Sequence, residues 1–261
     1  VNFLRGRGRR FKRALDKLEH LAEFTRRSDV DLVLFSGDFT AMGTRAEFAA
    51  ARTAIEPFLG TPAGFVCVPG NHDLYTRAVL RQRRFERTFE DLLDSDLPEG
   101  AVDGPWPLVR LVGSDAAVLA LNSARPNPIP WRSSGRVPQV QVDAARDLLR
   151  RPELANRFVF VVTHYAPCLW DGSPDTKNHG LVNAGELLDL VSGIPRGAVL
   201  CGHVHRTFRV RLPGVRPEIF CAGSATMHEL EGFWMFDLEE GRIEARQGRW
   251  TGSGYALEAE G

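Results

Sequence analysis

The chain has 261 residues, 43% apolar and 25% charged, a balance that fits one α/β domain with a full-sized core and excludes a disordered or fibrous chain. The 33 Lys and Arg offset 33 Asp and Glu, so no global field favours nucleic acid or an anionic membrane. No stretch of about 18 apolar residues occurs, so no transmembrane helix is expected.

In chain order, Phe11 to Arg27 reads as an amphipathic helix, with Phe11, Leu15, Leu18, Leu21, Ala22 and Phe24 on one side. Val30–Ser36 is uniformly apolar, the pattern of a buried parallel strand. Thr44–Leu59 predicts a helix, with Thr44 as N-cap, Glu47 three residues on as in a capping box, and Pro57 near the end. A second strand is expected over Gly64–Pro69, and Thr76–Leu93 reads as one long charged helix forming a lid or a lateral surface. Val109–Val112 and Ala116–Asn122 flank Gly113-Ser114-Asp115, a hairpin signal. Arg125–Gln139, with four prolines, is a loop, and Val140–Arg150 a helix ending before Pro152.

Arg157–Thr163 and Gly197–Cys201 are two further apolar runs. Between them lie a polar loop, Cys168–Asn183, and a short helix, Ala184–Val191. Phe208–Leu212, Glu218–Cys221, Phe233–Leu238 and Arg242–Gln247 predict a closing antiparallel meander.

Four motifs follow directly on the four apolar runs: Gly37-Asp38, Gly70-Asn71-His72-Asp73, Thr163-His164 and Gly202-His203-Val204-His205. Ligands of an open α/β sheet gather outside the carboxyl ends of its strands, so these runs would bring Asp38, Asn71, His164, His203 and His205 to one edge. A mixed carboxylate, amide and imidazole set suits a divalent transition metal rather than calcium or a thiolate zinc site. Gly37, Gly70 and Gly202 would let the backbone come close beneath the donors.

The order GD, GNHD, H, GHxH resembles the calcineurin-like metallophosphoesterase superfamily over positions 37 to 205, and its local wording is similar to the branch containing class III cyclic-nucleotide phosphodiesterases. The resemblance implies a four-layer αββα fold over residues 1–261, with two mixed β-sheets packed face to face and helices outside. It implies two divalent ions (Mn, Fe or Zn). Asp38 would bridge both, Asn71, His164 and His203 would complete the second site, and His205 would bind the first.

His72 would be the general acid that protonates the leaving oxygen, with Asp73 orienting its ring. The nucleophile would be a hydroxide bridging the ions. The family opens with a strand ending in Asp-x-His, which supplies two ligands of the first metal; no Asp-x-His occurs here, so that site is expected to be half built and the first strand missing.

The expected activity is therefore hydrolysis of a small phosphodiester or phosphomonoester, a cyclic nucleotide being the specific case the resemblance favours. A nuclease of the same superfamily is the enzymatic alternative, and a decayed metal-binding scaffold the non-enzymatic one. The basic run Arg5, Arg7, Arg9, Arg10, Lys12 and Arg13 lacks interleaved aromatics and reads as a loop, so nucleic acid is not expected as a partner. Cys67, Cys168, Cys201 and Cys221 form no CxxC pair and read as reduced structural thiols, which with no signal-peptide pattern predicts a cytoplasmic setting. Outside the motif set, His20 with Asp16 reads as a solvated helix face. His179 and Arg125 could each meet substrate or be ordinary surface groups, and His228 reads more as a surface group than as a ligand.

Overall fold

The computed structural model describes residues 10–127, 129 and 131–258; Arg5, Arg7 and Arg9 of the basic run lie outside them. Helix α1 (Ala14–Arg27) leads to β1 (Leu32–Phe35), α2 (Arg45–Ile55) and β2 (Gly64–Cys67). Two short helices, α3 (Arg77–Arg81) and α4 (Arg84–Thr88), precede the hairpin of β3 (Leu108–Val112) and β4 (Ala116–Ala120). Then come α5 (Gln139–Leu148), α6 (Pro152–Ala155), β5 (Phe158–Tyr165), α7 (Ala184–Ser192) and β6 (Gly197–Gly202). The remaining strands are β7 (Phe208–Val210), β8 (Glu218–Cys221), β9 (Phe233–Glu239), β10 (Arg242–Trp250) and β11 (Tyr255–Leu257).

Six strands form one mixed sheet in the order β3-β4-β5-β6-β8-β7. β4, β5, β6 and β8 are parallel, and the edge strands β3 and β7 run antiparallel to their neighbours. Alternation along the strands splits their side chains between two cores. Val118, Phe160, Val162, Leu200 and Phe220 face one core, which β1, β2, β9 and β10 close from the other side with α1 and α2 behind. Leu119, Val161, Val199, Ile219 and Cys221 face the other, filled by Val142 and Leu148 of α5, Leu154 of α6 and Leu187 and Val191 of α7. Both faces are covered, which explains why the strands read as continuous apolar runs. The layers are helix, sheet, strands and helix, the expected αββα order.

The second strand layer departs from the expectation. β1 and β2 make a parallel pair, with Leu32 opposite Gly64 and Phe35 opposite Cys67, while β9, β10 and β11 make a separate antiparallel sheet. The C-terminal strands are therefore not one meander: β8 pairs in parallel with β6, and the chain crosses to the other layer before β9. All four residues of β1 are half-buried, where full burial was expected.

The helices follow the expectation in part. The capping box of α2 is present as predicted, with Glu47 N–H donating to Thr44 Oγ1 and Thr44 N–H donating to the Glu47 carboxylate. Residues 76–93 are broken into α3, α4 and a 3₁₀ turn, because Arg83 takes a left-handed φ of 47°. Phe85 and Phe89 of this segment pack against Phe39 and Phe48, so it forms a lateral wall. In α1, Leu15 is exposed and Lys17 is buried, because Lys17 ion-pairs with Glu231, whose side chain is only 7% exposed. Among the described residues no helix is long and apolar enough to cross a membrane.

Candidate metal centre

β1 and β2 lead into Gly37-Asp38 and Gly70–Asp73, β5 carries His164 next to its last residue, and β6 ends at Gly202 before His203 and His205. At their common edge, His164 Nε2 lies 3.1 Å from Asn71 Oδ1 and 3.6 Å from Asp38 Oδ1. His203 Nδ1 lies 3.0 Å from Asn71 Oδ1 and 3.3 Å from His164 Nε2. Donors sharing a cation at about 2.1 Å sit roughly 3.0–3.4 Å from one another in octahedral or tetrahedral geometry. Three of the donors have that spacing, and Asp38 lies slightly outside it. Counting His, Cys, Asp and Glu alone, no group of three that could hold a metal is gathered among the described residues; the convergence depends on the Asn71 amide oxygen.

The outer ring nitrogens decide what the inner ones can do. His164 Nδ1 is 2.7 Å from the Ser36 carbonyl and His203 Nε2 is 3.0 Å from the His179 carbonyl. A carbonyl only accepts, so each of these nitrogens carries the proton, and the inner nitrogen of each neutral ring presents a lone pair. Burial, reinforced by the neighbouring His164, His179 and His205, holds His203 well below the ordinary imidazole range and keeps it neutral. Two imidazole lone pairs, an amide oxygen and a carboxylate thus face one another, which an interposed cation stabilises. Burial pushes the Asp38 carboxyl up, but His164, His72, a backbone N–H bond from His72 and His205 outweigh it, and the net shift is down.

The backbone is bent to achieve this. Asp38 (φ 68°), His203 (φ 68°) and His205 (φ 53°) all occupy the left-handed region, which side chains other than Gly seldom adopt and which gathers at functional sites. A Cβ on Gly70 would stand 2.1 Å from Asp38 Oδ1, so Gly70 admits the carboxylate, as its place beside the donors predicted.

Asp73 is fully buried and gathers the two loops. Its Oδ2 accepts from the N–H groups of Asp38 (2.8 Å), Phe39 (3.2 Å) and Gly70 (2.9 Å), and its Oδ1 from Thr40 N–H (2.9 Å) and Thr40 Oγ1 (3.0 Å). Burial and the Asp38 charge push this carboxyl up to about 7, against the pull of those donors. The orienting contact expected from Asp73 to the His72 ring is replaced at Nδ1 by the Ala41 carbonyl, 2.8 Å away. His72 N–H donates to Asp38 Oδ1 (3.0 Å), and its ring stacks at 5.7 Å on Tyr75.

The family model described as calcineurin-like phosphoesterase matches residues 8–207. The chain belongs to the calcineurin-like phosphoesterase family. A curated relative from Rhodococcus erythropolis, named a probable cyclic nucleotide phosphodiesterase, is 25% identical over 186 residues, 71% of this chain. The chain spans about half, 54%, of that relative's length. Among solved structures, a dimetal phosphatase from Danio rerio superposes with a TM-score of 0.61 at 14% identity, covering 91% of this chain and 83% of its own. The protein TT1561 of Thermus thermophilus gives 0.55 at 13% identity, covering 89% and 92%. These two likenesses carry the fold.

Two polar loops lie beside these donors. Gly135 and Leu181 form a β-bridge between them, Ser133 N–H donates to the Asn178 carbonyl, and the buried Tyr165 hydroxyl donates to the Ser133 carbonyl. His179 is held by Asp175 (Nδ1 to Oδ2, 2.6 Å) with its ring 4.3 Å from that of His203. Arg125 binds Ser134 within its own loop. His228 is exposed and pairs with Glu231, and His20 leans on Trp250, so neither is brought to the four donors. Asp175, Tyr165 and the Ser36, Ala41 and His179 carbonyls carry no mark in the sequence. Backbone acceptors have no residue signature, and Asp175 is one acid in a polar loop.

Proposed function

We propose that the protein is a metal-dependent phosphoesterase acting on a small phosphodiester or phosphomonoester, a cyclic nucleotide being the specific case. Asp38, Asn71, His164 and His203 would hold one divalent ion, and Asp38 and His205 would contribute to a second. The observation that carries this reading is the convergence of unprotonated ring nitrogens, amide oxygen and carboxylate at four strand ends. The mixed nitrogen and oxygen set suits Mn, Fe or Zn. Such ions supply Lewis-acid polarisation of the phosphoryl oxygens and an activated water.

The chain supplies the rest. The outer carbonyls of Ser36 and His179 fix both imidazoles in the tautomer that leaves a lone pair inward. Asp73 holds the Asp38 and Gly70 backbones at one separation. The Ala41 carbonyl takes His72 Nδ1–H, which leaves Nε2 as the nitrogen that carries a transferable proton to the departing oxygen in the imidazolium form. The name of the Rhodococcus relative, a probable cyclic nucleotide phosphodiesterase, supports the cyclic-nucleotide case. Four free, buried cysteines support a reducing, cytoplasmic setting.

The test is hydrolysis of 3′,5′-cyclic AMP, bis(p-nitrophenyl) phosphate and p-nitrophenyl phosphate with added Mn. Turnover of at least one, abolished by chelator and by His203→Ala, is expected. Turnover that survives both would overturn the reading.

A further inference from the structure

A cavity of 590 Å³ lies away from the metal centre, on the lateral wall where α2 faces α4. Its lining includes Arg45 and Arg52 of α2, Arg84 and Arg87 of α4, with Gln82 and Thr88, over an apolar floor at Phe48. Among the described residues no Asp or Glu lines it.

Hydrogen-bond donors are in surplus there. Arg52 gives one terminal nitrogen to Asp91 (2.7 Å), while its other terminal nitrogen is buried with no hydrogen-bond partner among the described residues. Arg84 gives Nε to Gln82 Oε1 (2.9 Å) and NH1 to the Gly43 carbonyl (2.8 Å), so Gln82 turns its oxygen to Arg84 and keeps its amide N–H groups. Arg45 and Arg87 make no side-chain hydrogen bond or ion pair to a described residue. Four guanidinium groups therefore share one carboxylate partner. Like charges in one hollow repel, and a buried donor without an acceptor costs free energy, so the arrangement is stabilised by an anion that accepts from several of them.

We propose that this cavity is a binding site, separate from the metal centre, for a small polyanion with a chain of two or three phosphoryl groups. Guanidinium forks match phosphoryl oxygens two by two, and several of them around one hollow match a chain better than one tetrahedral ion. The volume lies within the range of small-ligand pockets, of which a single phosphate would fill only a small part. An inorganic polyphosphate and a nucleoside polyphosphate share this chemistry. Arg84 also holds the Gly43 carbonyl, and Gly43 N–H donates to Thr40 Oγ1, itself bound to Asp73, so the cavity wall is continuous with the loop that carries Asp38.

The experiment is calorimetric titration of inorganic tripolyphosphate, and separately of ATP, into the full chain, into Arg45→Ala/Arg87→Ala and into Asp38→Asn/His203→Ala. Arg45 and Arg87 are exposed, so their replacement should leave the melting temperature unchanged; Arg45→Gln/Arg87→Gln repeats the test if it does not. The expected result is saturable binding to the unaltered chain, weakened at least ten-fold by the arginine pair and within two-fold of unaltered in the metal-centre pair. ATP equal to tripolyphosphate identifies a nucleoside polyphosphate as ligand, and ATP ten-fold weaker identifies the inorganic chain; both support the site. Binding that is lost with Asp38 and His203 but not with Arg45 and Arg87 would overturn it. So would an affinity for sulfate equal to that for tripolyphosphate, or no saturable binding.

Discussion

The two halves of the candidate metal centre are held by different means. His164 and His203 rise from β5 and β6, strands in the middle of a six-stranded sheet with β5 buried throughout and β6 from its second residue on. Asp38 and Asn71 follow β1 and β2, a two-stranded pair whose β1 is only half-buried. A two-stranded unit is marginal alone. On that side the Asp73 carboxylate, with five donors from two loops, and the aromatic cluster of Phe35, Phe39, Phe85 and Phe89 substitute for sheet breadth. Position is secured by the packing of a broad sheet in one half, and by a buried acceptor with an aromatic cluster in the other.

That contrast can be broken most severely at the donors themselves. His203→Ala is expected to lower turnover of a phosphoester by at least about 10³-fold, because metal activation of water and screening of the phosphoryl oxygens are lost together. The fold should survive, since His203 lies beyond its strand; unchanged circular dichroism with lost turnover is the expected pair of readings. His72→Ala should lower kcat by about 10²–10⁴-fold with metal content unaltered, the range of a general acid. Loss of metal in that variant would place His72 among the ligands.

Asp73→Ala separates the halves through stability. It leaves the N–H groups of Asp38, Phe39, Thr40 and Gly70 without their acceptor, at about 1–3 kcal/mol for each buried group left unsatisfied. A loss of at least about 3 kcal/mol in urea unfolding is expected. Ser123→Ala on the other half removes a hydroxyl that bonds Thr163 and Tyr165, and should cost about 1–2 kcal/mol, since the packed strands remain. Equal losses would erase the contrast.

Acid acts on the packed half. His203 in the folded chain titrates well below its ordinary value of 6.5, so on the acid side the unfolded chain binds more protons. Asp73, raised to about 7, works the other way over the same range, so the effect of His203 is read as a difference: relative to chelator-treated His203→Ala, the chelator-treated unaltered protein should lose stability as pH drops through about 6.5 and below. The smallest effect is remote from both halves: Thr44→Ala removes the capping box of α2 and should cost about 1 kcal/mol with turnover unchanged.

What could be read in the sequence follows the same division. The four strand ends, and the meeting of Asp38, Asn71, His164 and His203 at them, were legible because each of these residues stands directly after a glycine or a buried apolar run. The αββα order followed from the family resemblance those motifs carry. The capping box was legible because it is local. The break in 76–93 was not, since the left-handed turn falls on Arg83, where no Gly or Asn marks it. The role of Asp73 was misread toward its neighbour His72, because its partners at Asp38, Phe39 and Thr40 lie more than thirty residues away and become adjacent only when β1 pairs with β2. Lys17 on the apolar side of α1 needed a partner at Glu231, which no local pattern announces.

The most direct test of the centre is metal content per chain, by elemental analysis, of the unaltered protein and of His203→Ala, both purified without chelator. A transition metal, Mn, Fe or Zn, is expected bound to the unaltered chain and reduced or lost in the variant. Equal metal in both, or none in either after reconstitution with those ions, would contradict the assignment of Asp38, Asn71, His164 and His203 as a metal-binding set.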